Sequence, residues 1–460
     1  MKKDNEGNRQ AHRHSPMEAV VGWKKHHFTE KSFLLILAVV VGLLSGAGAY
    51  LLKHIIMLIS STLTSSFSID SPNYILLLLP IAGILLTGIF TRYILRENIA
   101  NGTAHLQHDL SARNYALKGN LMYSSIVASS ITIGFGGSAG AEDPIAYTGA
   151  AIGSNIGRWF KMSPQMLMIL IGCGAGAGIA GIFKAPIGGV LFTLEVLKLE
   201  LTTLSVIALI VACITAAMTA YVLSGFTIDL DYLHYTPIDN ELLLFVVALG
   251  LFCGIYSAYY STIMEKMEGF FAKLKNPWVK NIAGGAIISI LIFTFPALYG
   301  EGYATIGKII NGDAASMLNG SFWAADADKT WVIALMAAGV MLSKCFATSS
   351  TNSSGGVGGD FAPTLFAGAF AGYLFAEIAN MAFGLNIPSG KFAFLGMAGV
   401  MAGAIRAPLM AIFLTVEMTG AYVLFFPVLI TAAISYATVT LFSRHSFYTK
   451  RAPRHFRLQK

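Results

Sequence analysis

Apolar residues run through this chain in long blocks, not at the spaced positions of a surface helix. Runs at 33–52, 74–95, 204–223, 242–261, 282–298, 331–342 and beyond, and 424–442 approach the roughly 20 residues that a helix needs to cross a bilayer. Between them lie shorter apolar pieces interrupted by Gly and Pro, at 121–136, 145–156, 166–182, 187–199, 361–383, 392–403 and 409–418. Most pieces that short cannot cross the hydrocarbon alone. Irregular backbone is tolerated at membrane depth only where protein buries it or where it lines an aqueous cavity. The pattern predicts an all-α polytopic membrane protein with tilted and broken helices, a hallmark of transport sites.

The pattern also repeats. Residues 180–197 read AGIFKAPIGGVLFTLEVL and residues 402–419 read AGAIRAPLMAIFLTVEMT, so Ala-Gly, basic-Ala-Pro and Thr-x-Glu recur at one offset. Upstream, GSAGAEDP (137–144) pairs with GVGGDFAP (356–363). Unrelated Gly-rich packing seams are the plainer alternative, but two blocks in the same order favour a duplication. An odd number of crossings between the blocks would invert one half relative to the other. The expected organisation is a basic N-terminal tail (1–32), a first transmembrane repeat (33–225), a second (226–443), and a short basic C-terminal tail (444–460) without a regulatory domain.

Composition narrows the class. Hydrophobic residues make up 55% and charged residues 12%, against about 25% charged in globular proteins. The net charge of +7 gathers in the two tails, which places both termini in the cytoplasm by the positive-inside bias. No nucleic-acid-binding motif accompanies it, and the N-terminus lacks the pattern of a signal peptide. Cys173, Cys213, Cys253 and Cys345 sit in apolar segments at unrelated spacings, as buried small hydrophobes do. HExxH is absent, so no enzyme, metal or cofactor is expected.

The chemistry lies at the Gly-rich blocks. Each feeds a helix whose Pro (Pro144, Pro363) falls in the first turn, where its missing N–H costs nothing. Free amides and the positive dipole end favour an anion there. Two such ends converging from two halves would hold an anion without a full positive charge, weakly enough for release. Glu142 is a carboxylate at that depth, which costs about 2.5–3.5 kcal/mol unless something positive receives it. It reads either as an anion competitor or as a helix cap.

These residues resemble the CLC chloride channel and transporter family. Gly140-Ala141-Glu142-Asp143-Pro144 is similar to the family's Gly-Arg-Glu-Gly-Pro, and Gly358-Gly359-Asp360-Phe361-Ala362-Pro363 to its Gly-Gly-Ile-Phe-Ala-Pro. The runs from Cys173 to Glu195 and from Arg406 to Thr419 also match. The resemblance implies a CLC-type fold of two inverted repeats and a homodimer with one pore per subunit. It makes Glu142 the gating glutamate, whose carboxylate occupies an anion position and leaves when protonated. Asn101, Gly102, Asp360, Phe361 and Tyr448 become the anion-binding positions, with Thr103 an alternative to Asn101 at the selectivity serine. Glu195 and Glu417 are expected to be structural, bonded to buried backbone.

The departures carry expectations of their own. Ala141 and Asp143 replace the Arg and Gly that flank the gating glutamate. Asp360 replaces an aliphatic residue, and its carboxylate should point away from the site while its amide serves. Val196 stands where well-studied exchangers carry an inner proton-passing glutamate, and channel members also have valine there. The sequence therefore leans toward a voltage- or pH-gated passive chloride channel, the alternative being a chloride/proton antiporter with a different inner proton path. The expected partners are chloride or a related anion, protons if it exchanges, and the lipid bilayer, in a prokaryotic inner membrane.

Overall fold

The computed structural model describes residues 28–97, 99, 102–199, 202–227, 230 and 236–442. Asn101, Tyr448 and most of both tails lie outside the described residues. Among the described residues there are sixteen α-helices, and the only β-pairing is one isolated bridge. The first eight are α1 (Glu30–Thr64), α2 (Leu79–Ile89), α3 (Gly102–Ser111), α4 (Leu121–Gly134), α5 (Glu142–Trp159), α6 (Pro164–Phe183), α7 (Pro186–Leu191) and α8 (Thr203–Leu223). The rest are α9 (Leu243–Lys273), α10 (Pro277–Thr294), α11 (Tyr303–Ile310), α12 (Thr330–Ser353), α13 (Phe361–Phe383), α14 (Ser389–Ile405), α15 (Pro408–Thr419) and α16 (Phe425–Phe442). Nine helical stretches among the described residues are long and apolar enough to span a membrane.

Helix packing reproduces the sequence repeat. In the first half α1 packs on α6 and α8, α4 on α5, and α5 on α6. The second half repeats this with α9 on α14 and α16, α12 on α13, and α13 on α14. The halves meet along two like-with-like pairs, α2 with α10 and α7 with α15.

The basic-Ala-Pro motif acts as a hinge. Lys184 and Arg406 end α6 and α14 in the left-handed conformation (φ 55° and 68°), their N–H groups donating to Ala180 and Ala402. A pre-proline residue is steered out of the α region. Ala185 and Ala407 are accordingly non-helical (φ −124° and −129°), and Pro186 and Pro408 open the next helices. At the far ends Glu195 and Glu417 close the seam reciprocally. Glu195 accepts from Leu409 N (3.2 Å) and Met410 N (2.8 Å), and Glu417 accepts from Ile187 N (3.1 Å) and Gly188 N (2.7 Å). Each carboxylate thus satisfies two of the four orphan amides at a helix start, and the helix it caps belongs to the other half.

Two pieces expected to be broken are whole. The run at 166–182 lies in a 20-residue helix and that at 361–383 forms a 23-residue helix. Their glycines serve close packing instead of chain breaking. A Cβ on Gly149 would stand 2.0 Å from the Gly174 carbonyl oxygen, and one on Gly368 would stand 2.3 Å from that of Gly396. Small residues let the backbones touch where lipid supplies no hydrophobic drive. The run at 282–298, by contrast, stops as a helix at Thr294, just before Pro296.

Candidate functional site

The Gly-rich blocks form loops that each half clamps for the other. Ser138 N donates to Thr351 Oγ1 on α12 (3.1 Å), and Val357 N donates to Thr132 Oγ1 on α4 (3.0 Å). Between these clamps Gly140 and Gly359 exchange both backbone hydrogen bonds, 3.0 and 2.7 Å, in an antiparallel bridge. The starts of α5 and α13 follow directly, so the two helix N-termini converge.

Glu142, the first residue of α5 and only 1% exposed, lies across that junction. Its Oε1 accepts from Phe361 N (2.5 Å) and Ala362 N (3.2 Å), the first amides of α13. Oε2 has no hydrogen-bond partner among the described residues. The glycines of the bridge make room for the carboxylate: a Cβ on Gly140 would lie 1.9 Å from Oε2, and one on Gly359 would lie 2.3 Å from Oε1. The carboxylate therefore caps the opposite half's helix, in a seat that suits any anion of similar size.

Asp360 directs its carboxylate to Asn352 Nδ2 (3.0 Å) on α12. Phe361 is fully buried, its ring edge-on to Phe192 at 5.7 Å between centroids. Phe192 begins a π-helical turn, Phe192–Val196, that continues α7 and carries Glu195 and Val196; such turns recur at functional sites. Gly102 starts α3 against α5, where a Cβ would meet Tyr147 Cβ at 3.0 Å. Val196 is buried and remote from Glu142 in sequence, and its carbonyl accepts from Gln107 Nε2 (2.5 Å). Thr103 is buried, and its hydroxyl donates to Asp143 Oδ1 (2.7 Å).

A basic side chain stands beside the site, where the sequence reading placed none. Lys344 on α12 is completely buried, donates to Ser138 Oγ (2.8 Å) in the first loop, and stands 4.4 Å from the Phe366 ring centroid. It lies within electrostatic reach of Glu142 and Glu301. Glu301 in turn accepts from Ala141 N (3.0 Å), next to Glu142. Both residues escaped the sequence reading, although a lone lysine within an apolar span is a signal in itself.

Two cavities lie near these loops. One of about 840 Å³ is lined by Glu301, Tyr299 and Asn73, and another of about 610 Å³ by Arg92, Arg96, Gly355 and Val357. They adjoin opposite ends of the span Tyr74–Leu95. Among the described residues no cluster of His, Cys, Asp or Glu could hold a metal ion.

Two repeats that clamp each other's loops and aim two helix starts at one point, with cavities near those loops, define a membrane anion transporter. The chain belongs to the Voltage gated chloride channel family, the CLC proteins, which its residues 83–440 match. A putative chloride channel protein ClcB-like of Ralstonia nicotianae is 28% identical over 386 residues, covering 82% of this chain and 86% of the relative. The H(+)/Cl(-) exchange transporter ClcA of Vibrio cholerae is 26% identical over 443 residues, covering 93% of this chain and 90% of the relative. A slow cyanobacterial Cl-/H+ antiporter has the same fold, with a TM-score of 0.77 at 24% identity over 93% of this chain and 98% of that one. A CLC-type fluoride/proton antiporter superposes with a TM-score of 0.73 at 24% identity, over 92% of this chain and 98% of that one. These relatives are transporters and channels, not enzymes.

Proposed function

We propose that this chain exchanges chloride for protons, reversing the lean toward a passive channel that Val196 suggested. The carrying observation is the seat of Glu142: a buried carboxylate held by two amides of α13 in the place a chloride would take. Ion and carboxylate then exclude each other unless the carboxylate is protonated and leaves. The surrounding charge supports this. Asp143 and Glu301 act on Glu142, and Lys344 acts with Glu142 and Glu301, so adding an anion to this acidic cluster favours adding a proton. Exchange is also what the name of the Vibrio relative describes, and the similarity covers 90% of that relative. The passive channel stays the second reading, favoured by Val196 and by the name of the Ralstonia relative.

The test is paired measurement of chloride efflux and proton uptake in liposomes, with the voltage clamped by a potassium gradient. Exchange predicts uphill proton uptake in fixed ratio to chloride; chloride flux with no proton movement would return the assignment to a channel. On this reading Glu142 gates, while Asn101, Gly102, Phe361, the amide of Asp360 and Tyr448 line the anion path, with both termini cytoplasmic.

The proposed assembly is a twofold homodimer with an independent pathway in each subunit, since one chain carries both repeats and both loops. Cross-linking in mild detergent should therefore trap dimers. A dimer pairing one active and one blocked subunit should keep about half the chloride flux; complete loss would point to a shared pore.

A further inference from the structure

Valine at position 196 leaves exchange without the inner glutamate that well-studied exchangers carry. We propose that Asp143 fills that role, taking the proton that Glu142 releases and passing it along the Thr103–Gln107 face of α3. This role rests on the exchange reading.

Three observations carry it. Asp143 is 1% exposed at a position where the family pattern has glycine, and a carboxylate at membrane depth is costly. Its side chain reaches a different helix, accepting from Thr103 Oγ1 on α3 at 2.7 Å. Thr103 and Gln107 lie four residues apart, on one face of α3, and Gln107 Nε2 donates to the Val196 carbonyl at 2.5 Å. A polar line thus runs from the residue beside the gate to the backbone of the position where exchangers carry their inner glutamate.

The groups around Asp143 suit such a role. Glu142 precedes it on the same turn and interacts with it. Tyr147 lies a turn further along α5, within reach of Asp109 and Glu97. Lys344 and Glu301 act on Glu142. Of the helices that pack on α5, α4 and α6 contain no charged residue, α3 carries His105, His108 and Asp109, and α1 carries Glu30, Lys31, Lys53 and His54. The step moves one proton and no electrons. The O–H bond of protonated Glu142 breaks, a bridging water relays the proton, and an O–H bond forms on Asp143. Glu142 recovers its charge and its seat on α13, and Asp143 then releases the proton to water on the α3 side. The cavity lined by Arg96, Glu97 and Ile99 adjoins the start of α3 along the chain.

The bland alternative is that Asp143 only ties α5 to α3. Asp143→Asn separates the two, because asparagine keeps the oxygen that accepts from Thr103 but carries no proton. With both ions followed in liposomes, D143N should still move chloride while proton uptake per chloride falls by about tenfold or more, the scale of a lost acid–base group. A D143N protein with the parental proton-to-chloride ratio overturns the proposal, and so does one that folds yet moves neither ion. If D143N does not fold, Thr103→Val removes the carboxylate's hydroxyl partner and leaves it titratable. Proton uptake per chloride should then shift in its pH dependence, and an unchanged profile also overturns the role. A parent that moves no protons defeats the exchange reading itself, and this role with it; loss confined to D143N cannot be mistaken for that result.

Discussion

Glu142→Gln should leave chloride flux running, make it independent of external pH, and reduce coupled proton uptake to background. In the parent, acid on the outside protonates the carboxylate and unseats it, so chloride flux rises as pH falls. Gln is neutral at every pH. A hydrogen bond to a charged acceptor contributes about 1.5–3 kcal/mol, against about 0.5–1.5 kcal/mol for a neutral pair. The amide therefore competes poorly with chloride for the amides of Phe361 and Ala362, and the seat passes to the ion. A residue that merely capped would behave differently, since Gln still accepts a hydrogen bond and would preserve the pH dependence. Efflux measured at several external pH values decides between them. A slope like the parent's would show that Glu142 is not the gate.

Lys344→Met should weaken chloride binding by about 10- to 100-fold, or about 1.4–2.8 kcal/mol. Methionine keeps an apolar stem against Phe366 and removes the charge together with the hydrogen bond to Ser138 Oγ. A unit charge 4–8 Å from an anion is worth about 2–4 kcal/mol at an effective dielectric near 20, and the carboxylates of Glu142, Asp143 and Glu301 would then face the incoming ion unopposed. Calorimetric titration with chloride, alongside the chloride dependence of flux, measures the loss. Lys344→Arg should restore most of it. Unchanged affinity in a folded K344M protein would confine Lys344 to neutralising Glu301.

What could be read from the sequence was local. Gly and Pro mark loops and helix starts within a few residues, so the convergence of 137–144 and 356–363 on two helix N-termini was visible, as was the repeat that pairs Glu195 with Glu417. Partners distant in the chain were not. Lys344 and Ser138 are 206 positions apart, and nothing near either residue announces the other, so the site was expected to lack a full charge. That Glu195 and Glu417 bond buried backbone could be anticipated; that each caps the other half's helix could not. The runs at 166–182 and 361–383 were expected to be broken because glycine disfavours a helix, yet close packing of one backbone on another prevails. Thr103 drew notice only as a stand-in for Asn101, because its bond to Asp143 spans 40 positions.

The swapped caps of α7 and α15 also set a schedule for making the protein. Glu195 enters the bilayer 214 residues before Leu409, and the nascent chain needs roughly 10–40 s to supply that partner at about 5–20 residues per second. Through that interval a half-buried carboxylate and the bare amides of Ile187 and Gly188 remain unsatisfied in a membrane. A chain cut before Leu409 leaves them so permanently and presents a mark that membrane quality control can recognise. Two halves synthesised as separate polypeptides bring the missing groups to each other, so the same seam that delays one chain gives two fragments a reason to assemble.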